Sequence, residues 1–261
     1  MNIIQTLVLA VVQGITEFIP VSSSAHLVLI SYWLGWADQG LLFDVALHCG
    51  TLIALLLYFR QAVLQCIQEF FSWFTNPRNI PNTLAFKLAV CSIPVMLAGA
   101  FGHHAIEQYC RSPQLLAYTT LGFGALLGVA LLHRPGTLGY TDLSVKQVLL
   151  IGCFQALSLI PGTSRSGITL TACLLLGLPP QAAATFSLLC GIPTLIMAST
   201  YELVHAQGVP IEHLNMIFLG MVTSAVVALA CIRLFLQWVG RYGLWPFVAY
   251  RMVLGLCLFI F

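Results

Sequence analysis

Two polar stretches in an otherwise apolar chain carry the residues able to do chemistry. The first, residues 13–26, reads Q-G-I-T-E-F-I-P-V-S-S-S-A-H. It holds a carboxylate at Glu17, hydroxyls at Ser22, Ser23 and Ser24, and an imidazole at His26. Residues 1–12 and 27–36 on either side contain no acidic or basic side chain. The second stretch, residues 161–169, reads P-G-T-S-R-S-G-I-T. Its Arg165 is the only fixed positive charge between Lys146 and Arg233.

Pro20 has no backbone N–H and biases Ile19 away from helical dihedrals, so a helix is expected to break there. A broken helix frees backbone N–H groups, and these attract anions. In the second stretch Gly162 and Gly167 permit close backbone approach or positive φ, while Thr163, Ser164, Ser166 and Thr169 add hydroxyls. Arginine's planar fork suits phosphate oxygens, and an anion offsets its cost in apolar surroundings. Together these features point to phosphate chemistry.

Phosphoryl transfer asks chiefly for positioning and charge neutralisation. Arg165, the hydroxyls and a divalent cation (Mg²⁺ or Ca²⁺) held partly by Glu17 would supply both. His26 follows Ser23 by one helical turn, so its imidazole could take the Ser23 proton; a water activated by His26 is the alternative nucleophile. Plainer accounts are serines bonding back to their own helix and a structural Glu17–Arg165 ion pair. The ion pair gives no reason for the hydroxyls.

These residues need a membrane scaffold. The chain of 261 residues is 59% hydrophobic and 7% charged, far below the quarter or so charged in soluble domains. A formal charge of +2 without basic runs argues against nucleic acid. The nine cysteines, scattered singly, read as small buried hydrophobes. The first segment lacks a basic flank and a small-residue cleavage site, and reads as part of the mature protein.

Apolar segments fall at 2–18, 27–36, 45–59, 86–101 and 115–132, then 147–160, 168–178, 183–203, 216–235 and 247–261. The shortest two, 27–36 and 168–178, each follow a proline-containing polar stretch, as re-entrant hairpins would. The expected fold is an all-α polytopic membrane domain over 1–261, with about six full crossings and two re-entrant hairpins. Basic residues place the 60–85 connection (Arg60, Arg78, with Lys87 beyond), the linker 133–146 (Arg134, Lys146) and the 234–245 connection (Arg241, Arg233) in the cytoplasm. The connections 102–114, with Arg111, and 204–215 then face outward.

A weak internal repeat divides the chain into about 1–132 and 147–261. Phe18–Ser23 lines up with Leu159–Ser164, setting Ser23 against Ser164 and Ser24 against Arg165. Phe43 precedes Thr51-Leu52-Ile53 as Phe186 precedes Thr194-Leu195-Ile196, and Phe86-Lys87 has a rough counterpart in Tyr250-Arg251. An odd number of crossings in each copy would invert one copy relative to the other. Inverted repeats bring broken helices together near the midplane, which would carry Arg165 to Glu17, Ser23 and His26.

The two stretches resemble the paired signatures of the undecaprenyl-diphosphate phosphatase family, bacterial membrane enzymes also called bacitracin-resistance proteins. The first signature, E/Q-x-x-x-E followed by F-x-P-x-S-S-x-x-H, is met from Gln13 through Glu17 to His26. The second, P-G-x-S-R-S-x-x-T, is met at residues 161–169. The resemblance implies hydrolysis of undecaprenyl diphosphate to the monophosphate, recycling the lipid carrier of cell-wall synthesis and conferring bacitracin resistance. It implies a bacterial inner-membrane location, and the loop charges put the site on the outer face of that membrane.

By the same resemblance Glu17 and His26 become catalytic or metal-associated groups, Ser23 a candidate nucleophile and Arg165 the diphosphate clamp. Ser22, Gly162, Thr163, Ser164, Ser166 and Thr169 would line the substrate. Gln13 stands where many members have glutamate; it cannot act as a base and serves at most as a ligand or hydrogen-bond partner. Ser24, Ala25 and His48 receive no role. Expected partners are the polyprenyl diphosphate, membrane lipids and a second copy in a homodimer, with no nucleic acid.

A transporter could share this architecture, but it has no need of a nucleophile beside a base. An acid-phosphatase-type lipid phosphatase would place P-S-G-H downstream of Arg134-Pro135, and it is absent. A non-catalytic scaffold leaves two buried polar clusters unexplained. His103, His104, Glu107, Glu202, His205, Glu212 and His213 lie near expected outer loops, where solvation accounts for them. Asp44 reads as a helix N-terminal charge.

Overall fold

A computed structural model describes residues 2–36, 40–109, 113–133, 135–205 and 214–260. His103, His104, Glu107 and His205 have no described side chain, and Arg111, Arg134, Glu212 and His213 lie outside the described residues. The described residues form eleven α-helices and short 3₁₀ turns: α1 (Ile3–Thr16), α2 (Ser23–Trp33), α3 (Leu41–Tyr58), α4 (Arg60–Ser72), α5 (Leu84–Tyr109) and α6 (Pro113–Leu132) come first. After the linker follow α7 (Val145–Ala156), α8 (Arg165–Leu175), α9 (Pro180–His205), α10 (Leu214–Tyr242) and α11 (Trp245–Cys257).

Five of these, namely α3, α5, α6, α9 and α10, are long and apolar enough to cross a membrane, while α1, α7 and α11 are shorter apolar helices. The protein is an all-α, multi-pass membrane protein. One connection departs from its expected character: residues 60–72 form helix α4 rather than a loop. Its apolar positions Ala62, Val63, Cys66, Ile67, Phe70 and Phe71 share one side, so amphipathic spacing makes a helix where charge and polarity suggested a connection.

Helices within lipid gain little from apolar burial against one another, so close approach and hydrogen bonds decide their packing. A side chain at Gly50 of α3 would strike the Met221 carbonyl of α10, and one at Gly152 of α7 the Cys91 carbonyl of α5. Likewise Gly14 of α1 lies against Ser224 and Val227 of α10. The first helix of each half therefore packs on a helix of the other half. Phe18, Leu170, Phe186 and Leu189 lie in the buried core between them.

The two breaks are built alike. Helices α1 and α7 each begin with a reciprocal cap, Asn2 with Gln5 and Ser144 with Gln147. Each satisfies N–H groups that the helix start leaves free. Helices α2 and α8 are each 11 residues long, and each starts after a serine in a positive-φ conformation: Ser22 at φ 75° and Ser164 at φ 68°. Each closes at a positive-φ glycine, Gly35 and Gly177.

The conformational counterpart of Ser164 is thus Ser22 rather than Ser23, and Arg165 corresponds to Ser23. The simple alignment slipped because the second break carries one more residue between its proline and its serine. Phe86-Lys87 and Tyr250-Arg251 also part company, the first pair opening α5 and the second lying in mid-α11. The surroundings differ as well. Nearly all of α8 is buried, from Ser166 to Leu174, whereas α2 buries Ala25, Leu27 and Leu29 and exposes Val28 and Tyr32.

Candidate active site

Helix α1 stops at Thr16, and Glu17 follows as its C-terminal cap. Beyond Pro20 the chain turns on Ser22, whose left-handed conformation costs a non-glycine residue on the order of 1–3 kcal/mol. That turn restarts the helix at Ser23 and points the new first turn back at Glu17. Glu17 Oε2 accepts from Ser23 Oγ at 2.8 Å and from Gln13 Nε2 at 3.0 Å. Gln13 and Glu17 are both buried, while Ser23 is partly open.

The second break supplies the counter-charge. Arg165 opens α8 and extends Nη2 to within 3.4 Å of Glu17 Oε1. Its guanidinium lies against Gly191 of α9, where an added Cβ would come within 2.8 Å of Cζ and 2.9 Å of Nη2. Arg165 Nε and Nη1 are buried without a hydrogen-bond partner. Buried guanidinium donors left unpaired are costly. From α3, His48 Nε2 stands 3.7 Å from Glu17 Oε2.

Three hydroxyls of the second stretch, on Ser164, Ser166 and Thr169, are engaged within the protein. Ser164 Oγ caps α8 by accepting from Gly167 N at 3.2 Å and lies 3.3 Å from Ser166 Oγ. Ser166 Oγ donates to the Ile19 carbonyl at 3.1 Å, a direct bond between the two breaks. Thr169 Oγ1 donates to the Arg165 carbonyl and meets Ser187 Oγ. Thr163 Oγ1 is buried without a partner, and Gly162 turns at φ 86° against Thr119 of α6. At the first break Ser22 Oγ pairs with Ser24 Oγ at 3.2 Å.

Arg251 of α11 holds the two breaks together. It is 1% exposed, and each of its nitrogens reaches a backbone carbonyl. Nε donates to Thr120 O at 3.3 Å, Nη2 to Gly162 O at 3.0 Å, and Nη1 to Thr163 O at 2.9 Å and Pro20 O at 3.5 Å. Carbonyls freed by irregular backbone inside an apolar bundle need such a donor.

The structure revises the expected partner of Ser23. Its hydroxyl is on Glu17, not on His26. Both ring nitrogens of His26 are otherwise engaged, Nδ1 with the Ser22 carbonyl at 2.7 Å and Nε2 with the Tyr250 hydroxyl at 2.6 Å. Helical spacing put His26 near Ser23, but an imidazole on a helix also reaches the carbonyl one turn back, and that acceptor holds it.

Four residues of this neighbourhood carried no functional assignment from sequence: His48, Gly191, Tyr250 and Arg251. A buried arginine in an apolar segment is a signal on its own. Gly191 and His48 have none until their helices are placed.

Among the described residues no three His, Cys, Asp or Glu side chains converge on one point. A divalent cation would instead find the Glu17 carboxylate and Gln13 Oε1, which is buried without a partner. This all-oxygen pair suits Mg²⁺ or Ca²⁺ completed by phosphate oxygens.

A serine on a carboxylate thus faces a guanidinium across two helix breaks. The chain matches the family of the Bacitracin resistance protein BacA over residues 6–257. It is 46% identical over 267 residues to Undecaprenyl-diphosphatase 2 of Stutzerimonas stutzeri (strain A1501), spanning 100% of this chain and 98% of the relative. The Undecaprenyl-diphosphatase of Thioalkalivibrio sulfidiphilus (strain HL-EbGR7) is 43% identical over 265 residues, with 100% of both chains covered. That of Campylobacter curvus (strain 525.92) is 42% identical over 264 residues, again with 100% of both covered. The chain belongs to the bacitracin resistance protein BacA family.

Proposed function

We propose that this protein is an undecaprenyl-diphosphatase that hydrolyses undecaprenyl diphosphate to undecaprenyl phosphate and inorganic phosphate. It thereby recycles the lipid carrier of cell-wall synthesis and confers bacitracin resistance. The observation that carries the reading is the Ser23–Glu17–Arg165 cluster. It joins a hydroxyl, a base and a phosphate clamp on two breaks inside the bundle.

The diphosphate binds with its terminal phosphoryl oxygens on the Arg165 guanidinium. Ser23 Oγ attacks the terminal phosphorus while its proton passes to Glu17 Oε2. The anhydride bond breaks and undecaprenyl phosphate leaves. Water then attacks the phosphoserine, freeing inorganic phosphate, and the proton held on Glu17 returns to Ser23 Oγ. A divalent cation on Glu17 and Gln13 would neutralise charge on the phosphates.

The same proposal takes α1–α2 and α7–α8 as re-entrant hairpins of an inverted repeat. Their matched caps, equal second helices and paired positive-φ serines support this. Loop charges at Arg60, Arg78, Lys146 and Arg241 put those connections in the cytoplasm of a bacterial cell and the site on the outer face of its inner membrane. Homodimer formation would use the uncovered face of α10, where Phe218, Val222 and Val226 are exposed.

The test is phosphate release from undecaprenyl diphosphate by purified protein, with and without a chelator. Release that stops on chelation and resumes with Mg²⁺ or Ca²⁺ is the expected result. No release under any condition overturns the assignment.

A further inference from the structure

We propose that Tyr250 is a positioning residue of this site, acting through His26; the inference rests on the phosphatase function proposed above. The Ser22 carbonyl can only accept, so the 2.7 Å contact fixes the His26 proton on Nδ1. Nε2 is then a bare acceptor, and the Tyr250 hydroxyl donates into it at 2.6 Å. The two rings lie nearly parallel, 8° apart in plane with centroids at 5.7 Å. Position, tautomer and ring plane of His26 are thus all set by two bonds, one to the first break and one to α11.

The carbonyl held by His26 belongs to the residue immediately before Ser23. That residue, Ser22, has a strained positive-φ backbone, which persists where surrounding contacts fix it. Arg251, the next residue after Tyr250, binds the Pro20 carbonyl two residues before Ser22. Consecutive side chains of α11 therefore grip the first break on both sides of the turn that aims Ser23. The buried grip is anchored by Arg251; the outer one is adjustable, because Tyr250 is about half exposed.

Without the phenol hydroxyl, Nε2 loses its donor and the ring is free to turn or to exchange tautomer. The Ser22 peptide then loosens, and with it the line of attack from Ser23. Misplacing a nucleophile lowers the rate more than it lowers affinity. His26 bonds to the Ser22 carbonyl and Tyr250, and Arg165 to Glu17, so substrate capture is left intact.

The experiment combines kinetics with imidazole NMR on the full-length protein in detergent. Tyr250→Phe keeps the ring and removes the hydroxyl; kcat for undecaprenyl diphosphate should fall about tenfold with KM within about twofold. His26→Ala should give a similar loss, and the double variant should be no worse than either single one. Wild-type kcat in Tyr250→Phe, or losses that multiply in the double variant, would overturn the proposal.

The NMR arm needs no activity. Nitrogen shifts of His26, assigned by their loss in His26→Ala, should report Nδ1–H in the wild type and a mixture of tautomers in Tyr250→Phe. An Nε2–H tautomer in the wild type sinks the pairing even if Tyr250→Phe fails to fold. A wild type that releases no phosphate yet shows the Nδ1–H signature counts against the phosphatase function and leaves the pairing in place.

Discussion

Ser23 Oγ donates to Glu17 Oε2 at 2.8 Å across a helix break only six residues long. The carboxylate therefore stands where a proton leaving Ser23 has to go, and Gln13 holds it there from one turn back. Glu17→Gln should leave the protein inserted and folded while phosphate release falls at least a hundredfold, the scale of losing a positioned base. Full activity in Glu17→Gln would remove Glu17 from both catalysis and cation binding.

Arg165 should tolerate no loss of shape. Lysine at this position keeps the charge and loses the fork, so turnover should drop about tenfold or more. Gly191→Ala offers an independent route to the same defect, because its methyl would displace the guanidinium without touching the charge. Steady-state kinetics of both variants are expected to show matching rises in KM together with lowered kcat. A wild-type Gly191→Ala enzyme would mean that the guanidinium has room to spare.

The different hydrogen bonds of Ser23 and Ser164 predict unequal roles for them. Ser23→Ala removes the proposed nucleophile and should lower kcat by orders of magnitude. Ser164 Oγ is spent on the N-terminus of α8, so Ser164→Ala should cost about 1 kcal/mol of stability and shift Arg165 only indirectly. Denaturation in detergent alongside initial-rate measurements separates the two. Equal kinetic defects would contradict the assignment.

Arg251→Met should act on stability first. It strips donors from the carbonyls of Pro20, Gly162, Thr163 and Thr120, and each buried orphan costs about 1–3 kcal/mol. A large drop in the midpoint of thermal unfolding is the expected outcome. An unchanged midpoint would show the carbonyls satisfied in some other way.

Much of this site can be read from the chain because charges and hydroxyls are rare in apolar segments. Glu17, Ser23 and Arg165 announce themselves, and their convergence follows once the breaks are placed together. Gly191 is silent, since a missing side chain matters only after its neighbour is known. His48 gave no local sign because its partner, Glu17, sits on another helix. Residue types pair Ser23 with Ser164, whereas backbone conformation pairs Ser22 with Ser164. Helix α4 was hidden behind its charges, although its apolar spacing was there to count.

The exchange of first helices between halves has a consequence for how the protein is made. Gly14 on α1 waits for Ser224 and Val227, which are synthesised about 200 residues later. At roughly 5–20 residues per second, α1 spends on the order of 10–40 s in or near the bilayer before its partner exists. For the first 148 residues of that stretch Glu17 has no Arg165. A ribosome stalled before α8 would leave a carboxylate without its counter-ion in apolar surroundings, so truncated chains should be prime targets for membrane proteases. Quality control of this enzyme is thus tied to the last helices rather than the first.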